Sequence, residues 1–330
     1  MRLKFLTGVT TLIVLLALLL TMPLLTACGN GEEEPEPTKT TATPTQTTPA
    51  PEVAEFDVVK DAVAAYLASP AGNIKPDDLK MRIAEGDVYI VSLRSADDYA
   101  AGHIPGAVNM AFGDLTTLPN DESIVLYCYT GQSASFGTAV LGILGYDVMN
   151  LRHGMSSWSS DPDVYKKRYS GAAGYDTETT LNSGGSYSLP TLNNTSSSDD
   201  DEIIKAAALT VAPKYISAAD LNIKIAEGED MTILSIRQPD AYAAGHIPGA
   251  INIPYGPGIV DALSQLDPDS PVYVYCYTGH TAAQATALLQ MLGYDAISIS
   301  FGMCGWSDDP AVNMGACFTP EMSMGYDTEK

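Results

Sequence analysis

Two apolar runs recur in each half of the chain, each pair followed by a longer stretch of helical spacing. "DVYIVSL" from Asp87 and "SIVLYCY" from Ser123 are Val-, Ile- and Tyr-rich segments of strand length with little polar alternation, which predicts strands buried on both faces. "SASFGTAVLGILGY" from Ser133 reads as a helix stopping near Gly145. The second half repeats the order with "MTILSI" from Met231, "PVYVYCY" from Pro271 and "TAAQATALLQMLGY" from Thr281. Strands alternating with helices predict an α/β fold, with a parallel twisted sheet flanked by helices in each half.

The repetition extends to whole segments. "RIAEGDVYIVSLRSADDYAAGHIPGAVNM" from Arg82 is echoed by "KIAEGEDMTILSIRQPDAYAAGHIPGAINI" from Lys224, "LGYD" occurs at Leu144 and Leu292, and "GYDTE" closes both copies at Gly174 and Gly325. A Gly-Met followed by Trp appears at Gly154–Trp158 and again at Gly302–Trp306. Such self-similarity marks a duplication. His103 to Cys128 spans 25 positions and His246 to Cys276 spans 30, so the second copy carries an insertion around "PYGPGIV", which a surface loop tolerates. Between the copies, "LNSGGSYSLPTLNNTSSSDDDE" lacks apolar periodicity and reads as a linker. The expected domains are 53–180 and 200–330, joined by 181–199.

The N-terminus differs from the rest. Arg2 and Lys4 precede "GVTTLIVLLALLLTMPLL", and the run ends at Leu25, Thr26, Ala27 and Cys28. This is the pattern of a secretory signal over 1–27. Small residues directly before a cysteine resemble the bacterial lipobox, which implies that Cys28 becomes a lipidated mature N-terminus and tethers the protein to the membrane outside the cytoplasm. The alternative is a plain membrane-spanning helix, since the run approaches bilayer length. The Pro-, Thr- and Glu-rich residues 28–52 have almost nothing to bury and are expected to form a disordered stalk. At 330 residues and 45% hydrophobic content the chain fills two cores. A net charge of −23 excludes a nucleic-acid partner, whose phosphates would be repelled.

Cys128 and Cys276 occupy the same place in "YCYTGQSA" and "YCYTGHTA". Each stands at the end of a predicted strand, before a Gly-containing turn that leads into a helix. A loop of that kind turns several backbone N–H groups inward, toward a helix N-terminus that favours negative charge. A thiolate is the natural occupant and a ready nucleophile. The plainer reading, a buried inert thiol, suits a strand end before glycine less well.

The loops "CYTGQS" and "CYTGHT", the upstream "GHIPGA" and the downstream Gly-Met-to-Trp segment together resemble rhodanese-type sulfurtransferase domains in tandem. The resemblance implies that Cys128 and Cys276 attack the sulfane sulfur of a donor such as thiosulfate, and pass the resulting persulfide to cyanide or a thiol. It implies no cofactor. Tyr129, Thr130, Gly131, Gln132 and Ser133 would form one substrate-binding loop, and Tyr277, Thr278, Gly279, His280 and Thr281 the other. Ser133 and Thr281 hold the hydroxyl position that bonds the sulfur in this family, and Gly131 and Gly279 permit the tight turn. Cysteine phosphatases need a longer loop ending in arginine, and that position is Ala134 or Ala282 here.

The chain departs from the family's Asp-x-Arg, reading Ser92-Leu93-Arg94 and Ser235-Ile236-Arg237, so each arginine needs another carboxylate or a carbonyl. His103 and His246, between Gly and Ile-Pro, suit turn-fixing better than acid–base work. His280, where copy one has Gln132, is a candidate to attract an anion or tune Cys276. Arg152 and His153 are candidates for positive charge near the first site. For Cys304 and Cys317, found only in copy two, three readings stand: a disulfide, free thiols, or a resolving partner for Cys276. Four scattered histidines predict no metal site. Two rivals to the enzyme are a non-catalytic sulfane-sulfur carrier and a thiol redox protein.

Overall fold

The computed structural model describes residues 54–330; the signal segment 1–27, Cys28 and the stalk to 52 lie outside the described residues. The first sheet contains β1 (Asn73–Ile74), β2 (Tyr89–Ser92), β3 (Val108–Asn109), β4 (Ile124–Tyr127) and β5 (Val148–Leu151), ordered β1-β5-β4-β2-β3. The second repeats it with β6 (Tyr215–Ile216), β7 (Thr232–Ser235), β8 (Ile251–Asn252), β9 (Val272–Tyr275) and β10 (Ala296–Ile299), ordered β6-β10-β9-β7-β8. Every pairing is parallel. The central strands β4 and β9 are buried along their whole length, as their unalternating runs require. From β2 the chain runs outward to β3 and then crosses back to β4. The crevice beyond the carboxyl ends of β2 and β4 is therefore the place where a sheet of this order binds ligands.

The helices that leave β4 and β9 span Gln132–Ile143 and His280–Met291. Both are buried on nearly every face, because each lies on its own sheet and packs against the other. Phe136, Ala139 and Val140 join Ala282, Ala285 and Leu289 in one core that spans the two halves. Hydroxyls in these buried turns are satisfied within the helix: Ser135 Oγ donates to Gly131 O at 2.9 Å and Thr286 Oγ1 to Ala282 O at 2.7 Å. An N-terminal helix, Glu55–Ala68, inserts Phe56, Val59 and Val63 into the same core. Each such side chain contributes about 1.5–3 kcal/mol by leaving water.

The closing "GYDTE" segments are exchanged between the halves. Glu178, at the end of the first copy, forms an antiparallel bridge with His246 of the second, and Glu329 forms one with His103 of the first. Trp306 Nε1 donates to Asp176 O at 2.8 Å, and Trp158 Nε1 donates to Asp327 O at 3.0 Å. Tyr175 packs on Trp306 and Tyr326 on Trp158. The expected boundaries follow the repeat along the chain, whereas in space residues 174–178 pack on the second half and 325–329 on the first. The expected linker is anchored as well: Asn182 Nδ2 donates to Ala250 O at 3.1 Å, and the Asn194 and Thr195 N–H groups donate to the Glu55 carboxylate.

Arg94 and Arg237 turn their terminal nitrogens to carbonyls, leaving each Nε without a partner among the described residues. Arg94 reaches Val164 O at 2.9 Å and Gly102 O, and Arg237 reaches Val312 O at 2.8 Å and Gly245 O at 2.7 Å. Their guanidinium groups lie over Tyr127 and Tyr275 at 5.7 and 5.3 Å. Each arginine thus ties the helix after Trp158 or Trp306 to the Gly-His turn of its own half. Within that turn the His103 and His246 rings stack on Tyr99 and Tyr242, 3.8 Å apart in both halves. Their Nδ1 atoms meet the Tyr99 and Tyr242 carbonyls. They fix the turn, and they carry the exchanged tails.

Candidate active site

Cys128 is the residue after β4, and Cys276 the residue after β9. The loop that follows turns at Gly131 (φ 82°) and Gly279 (φ 87°) and enters its helix at the next residue. What shapes the loop is the downstream Gly-Met segment. Met155 N–H donates to Cys128 O at 2.9 Å and Ser156 N–H to Tyr129 O at 3.0 Å; Met303 and Cys304 do the same for Cys276 and Tyr277, both at 2.9 Å. With these carbonyls engaged, the loop amides are free for another acceptor. Gly279 N–H points at Cys276 Sγ from 3.2 Å. The clamp needs glycine at 154 and 302: a Cβ there would stand 2.4 Å from Cys128 O or 2.5 Å from Cys276 O, at φ 53° in both. His153 and Phe301, just before these glycines, are themselves left-handed at φ 62° and 60°. Such strain persists where the surroundings enforce it, and it clusters at functional sites.

The two loops face and lock one another. His280 Nε2 donates across to Thr130 O at 2.8 Å, while its Nδ1 accepts from Thr278 Oγ1 at 3.0 Å. Reciprocally, Gln132 Oε1 accepts from Phe301 N at 2.9 Å, and its Nε2 donates to Thr130 Oγ1 at 3.2 Å. Gln132 and His280 are thus turned toward the opposite half. Burial, above all, holds His280 down to about 4 against its ordinary 6.5, although the bond to Thr130 works the other way. Burial likewise takes His153 to about 2, helped by His280 and Arg152. Both rings are neutral at physiological pH, so neither supplies the positive charge expected of it; their rings pack 4.9 Å apart.

Around the loops the halves differ. Cys128 is only 2% exposed but opens on a cavity of about 510 Å³, lined also by Tyr129, Ser133, Lys166, Lys167, Arg168 and Tyr215. Lys167 Nζ lies 4.6 Å above the Tyr129 ring. The Tyr129 hydroxyl is engaged by Asp98, whose carboxyl it holds below the usual range, with Ser95 adding to the effect. The corresponding triplet in copy two is Met314, Gly315 and Ala316. There Cys304, matching Ser156, is bonded to Cys317. Near Cys276 the insertion supplies Tyr255, whose hydroxyl donates to Gln284 Oε1 at 2.8 Å. Sequence reasoning passed over Lys166–Arg168, although nowhere else in the chain do lysines or arginines stand side by side. Tyr215 carried no signal at all, because it reaches the first site from the second half.

The family model described as "Rhodanese-like domain" matches residues 75–161 and 217–309. The chain belongs to the rhodanese-like family. Both matched stretches of this rhodanese-like chain carry a cysteine loop and its Gly-Met clamp. It is 25% identical to the thiosulfate sulfurtransferase of Pseudomonas aeruginosa, over 71% of this chain and 92% of that one. Over one domain it is 32% identical to thiosulfate sulfurtransferase GlpE of Pseudoalteromonas translucida, covering 29% of this chain and 90% of that protein. The chain spans only 20% and 50% of the length of two other curated relatives. A crystal structure of a rhodanese-like domain protein from Staphylococcus aureus is 30% identical over 29% of this chain and 93% of its own, with a TM-score of 0.28.

Proposed function

We propose that the protein moves sulfane sulfur from a donor such as thiosulfate to cyanide or a thiol, through persulfides on Cys128 and Cys276. One observation carries this reading: in both halves the carbonyls of the cysteine and of the tyrosine after it accept from the Gly-Met segment, and in the second half this leaves the Gly279 N–H aimed at the Cys276 sulfur, where it can meet negative charge. Thiolate and persulfide are both anions, so one nest stabilises both. The Cys128 thiolate attacks the outer sulfur of thiosulfate, the S–S bond breaks, and its electron pair leaves with sulfite. Cyanide then takes the outer sulfur as thiocyanate and returns the thiolate.

The redox rival asked Cys304 or Cys317 to resolve Cys276, and these two are bonded to each other. That disulfide also suits an oxidising compartment. With the signal pattern ending at Cys28, it supports a lipid-tethered, extracytoplasmic protein. Thiocyanate formation from thiosulfate and cyanide tests the chemistry. The parent is expected to turn over and the Cys128→Ala/Cys276→Ala protein to be inert; activity surviving in the double variant would overturn the assignment. A parent that binds one sulfur without turning over is the carrier.

A further inference from the structure

The first site is completed by a residue of the second half. Tyr215 opens the edge strand β6, and its ring packs edge-on against Phe136 with centroids 5.5 Å apart. Part of the ring meets solvent, but the residue lines the Cys128 cavity, and its hydroxyl donates to Ser133 Oγ at 3.0 Å. Ser133 is the hydroxyl residue of the Cys128 loop. A serine oxygen that accepts from tyrosine still holds one proton of its own. With Tyr215 donating to the oxygen, that proton remains for an acceptor in the cavity that Ser133 and Cys128 both line. Desolvation where the hydroxyl meets the Cys128 loop raises Tyr215 above its ordinary range, so it remains a donor at physiological pH.

Among the described residues the second site has no counterpart. The residue matching Tyr215 is Asn73, the first residue of β1, whose Oδ1 accepts from Asn150 Nδ2 at 2.7 Å within its own sheet. The tyrosine near Cys276, Tyr255, directs its hydroxyl to Gln284, which in turn donates to Ala71 O at 3.1 Å. Gln284 stands where the first half has Phe136.

We infer that Tyr215 is a positioning residue of the Cys128 site, supplied by the second domain, that orients the Ser133 hydroxyl toward the Cys128 sulfur and its persulfide. This rests on the sulfur-transfer reading and adds to it that the two sites are unequal by construction. The Cys128 half does not hold its full catalytic arrangement without the second.

The test uses the full chain in two backgrounds, Cys276→Ala to isolate the first site and Cys128→Ala to isolate the second. In the first, Tyr215→Phe, which keeps the ring on Phe136, is expected to lower kcat with thiosulfate about tenfold, with KM little changed. Ser133→Ala should lose a similar factor, and the double variant should lose no more than either alone. In the second background Tyr215→Phe should leave turnover at Cys276 intact. Unchanged kcat in Tyr215→Phe, losses that multiply, or an equal loss at Cys276 would each overturn the inference alone. A parent that takes up no sulfur on Cys128 would overturn the sulfur-transfer reading and this inference with it.

Discussion

Lys166, Lys167 and Arg168 stand at the mouth of the Cys128 site; at the matching place after Trp306 stand Met314, Gly315 and Ala316, with Cys317 next and bonded back to Cys304. The chain that meets each cysteine from below is the same in both halves, down to the clamp from Met155 or Met303. What meets it from above is not. Duplication preserved the clamp around the cysteine and changed the residues at its mouth. The halves also differ where they touch: Gln132 and His280 occupy one loop position, but only the histidine can titrate.

That last difference has the largest expected effect. Because burial holds His280 at about 4 against an ordinary 6.5, the unfolded chain takes up a proton in this range and the folded one does not. Its contribution to stability is therefore complete above pH 6.5 and lost as pH falls toward 4. His280→Gln, which copies the first loop, should reduce the acid loss between pH 7 and 4.5 by about 2–3 kcal/mol, measured as the change in urea midpoint. An unaltered pH dependence would mean that the ring is solvated.

Comparable in size is the crosslink found only in copy two. Replacing Cys304 and Cys317 by serine opens a loop of sequence separation 13 and should cost roughly 2–3 kcal/mol, seen as a thermal midpoint lower by several degrees. Smaller still is the charge contrast. Lys166→Ala with Lys167→Ala should raise KM for thiosulfate at Cys128 about fivefold at low salt, and less at high salt. The Cys276 site should not respond. Equal effects at both sites would remove the distinction between them.

Much of this was legible in the chain. The unalternating runs before Cys128 and Cys276 gave buried strands, and Gly131 and Gly279 gave the turn, because strand burial and positive φ leave local signals. The substitution of serine for aspartate also announced that Arg94 and Arg237 would look elsewhere, and they found carbonyls. What stayed hidden depends on how the halves meet. Identical "GYDTE" segments fit identical grooves, so no residue in them says which groove each enters. The grip of His280 on Thr130, and of Tyr215 on Ser133, exists only after two helices have packed across the shared core.

The central claim is that sulfur is carried on both loop cysteines, each held by its own clamp. Peptide mapping by mass spectrometry after thiosulfate treatment of Cys128→Ala and of Cys276→Ala tests it most directly. The account predicts one added sulfur on Cys276 in the first variant and on Cys128 in the second, each removed by cyanide. Two unmodified cysteines, or sulfur only on Cys304 or Cys317, would contradict it.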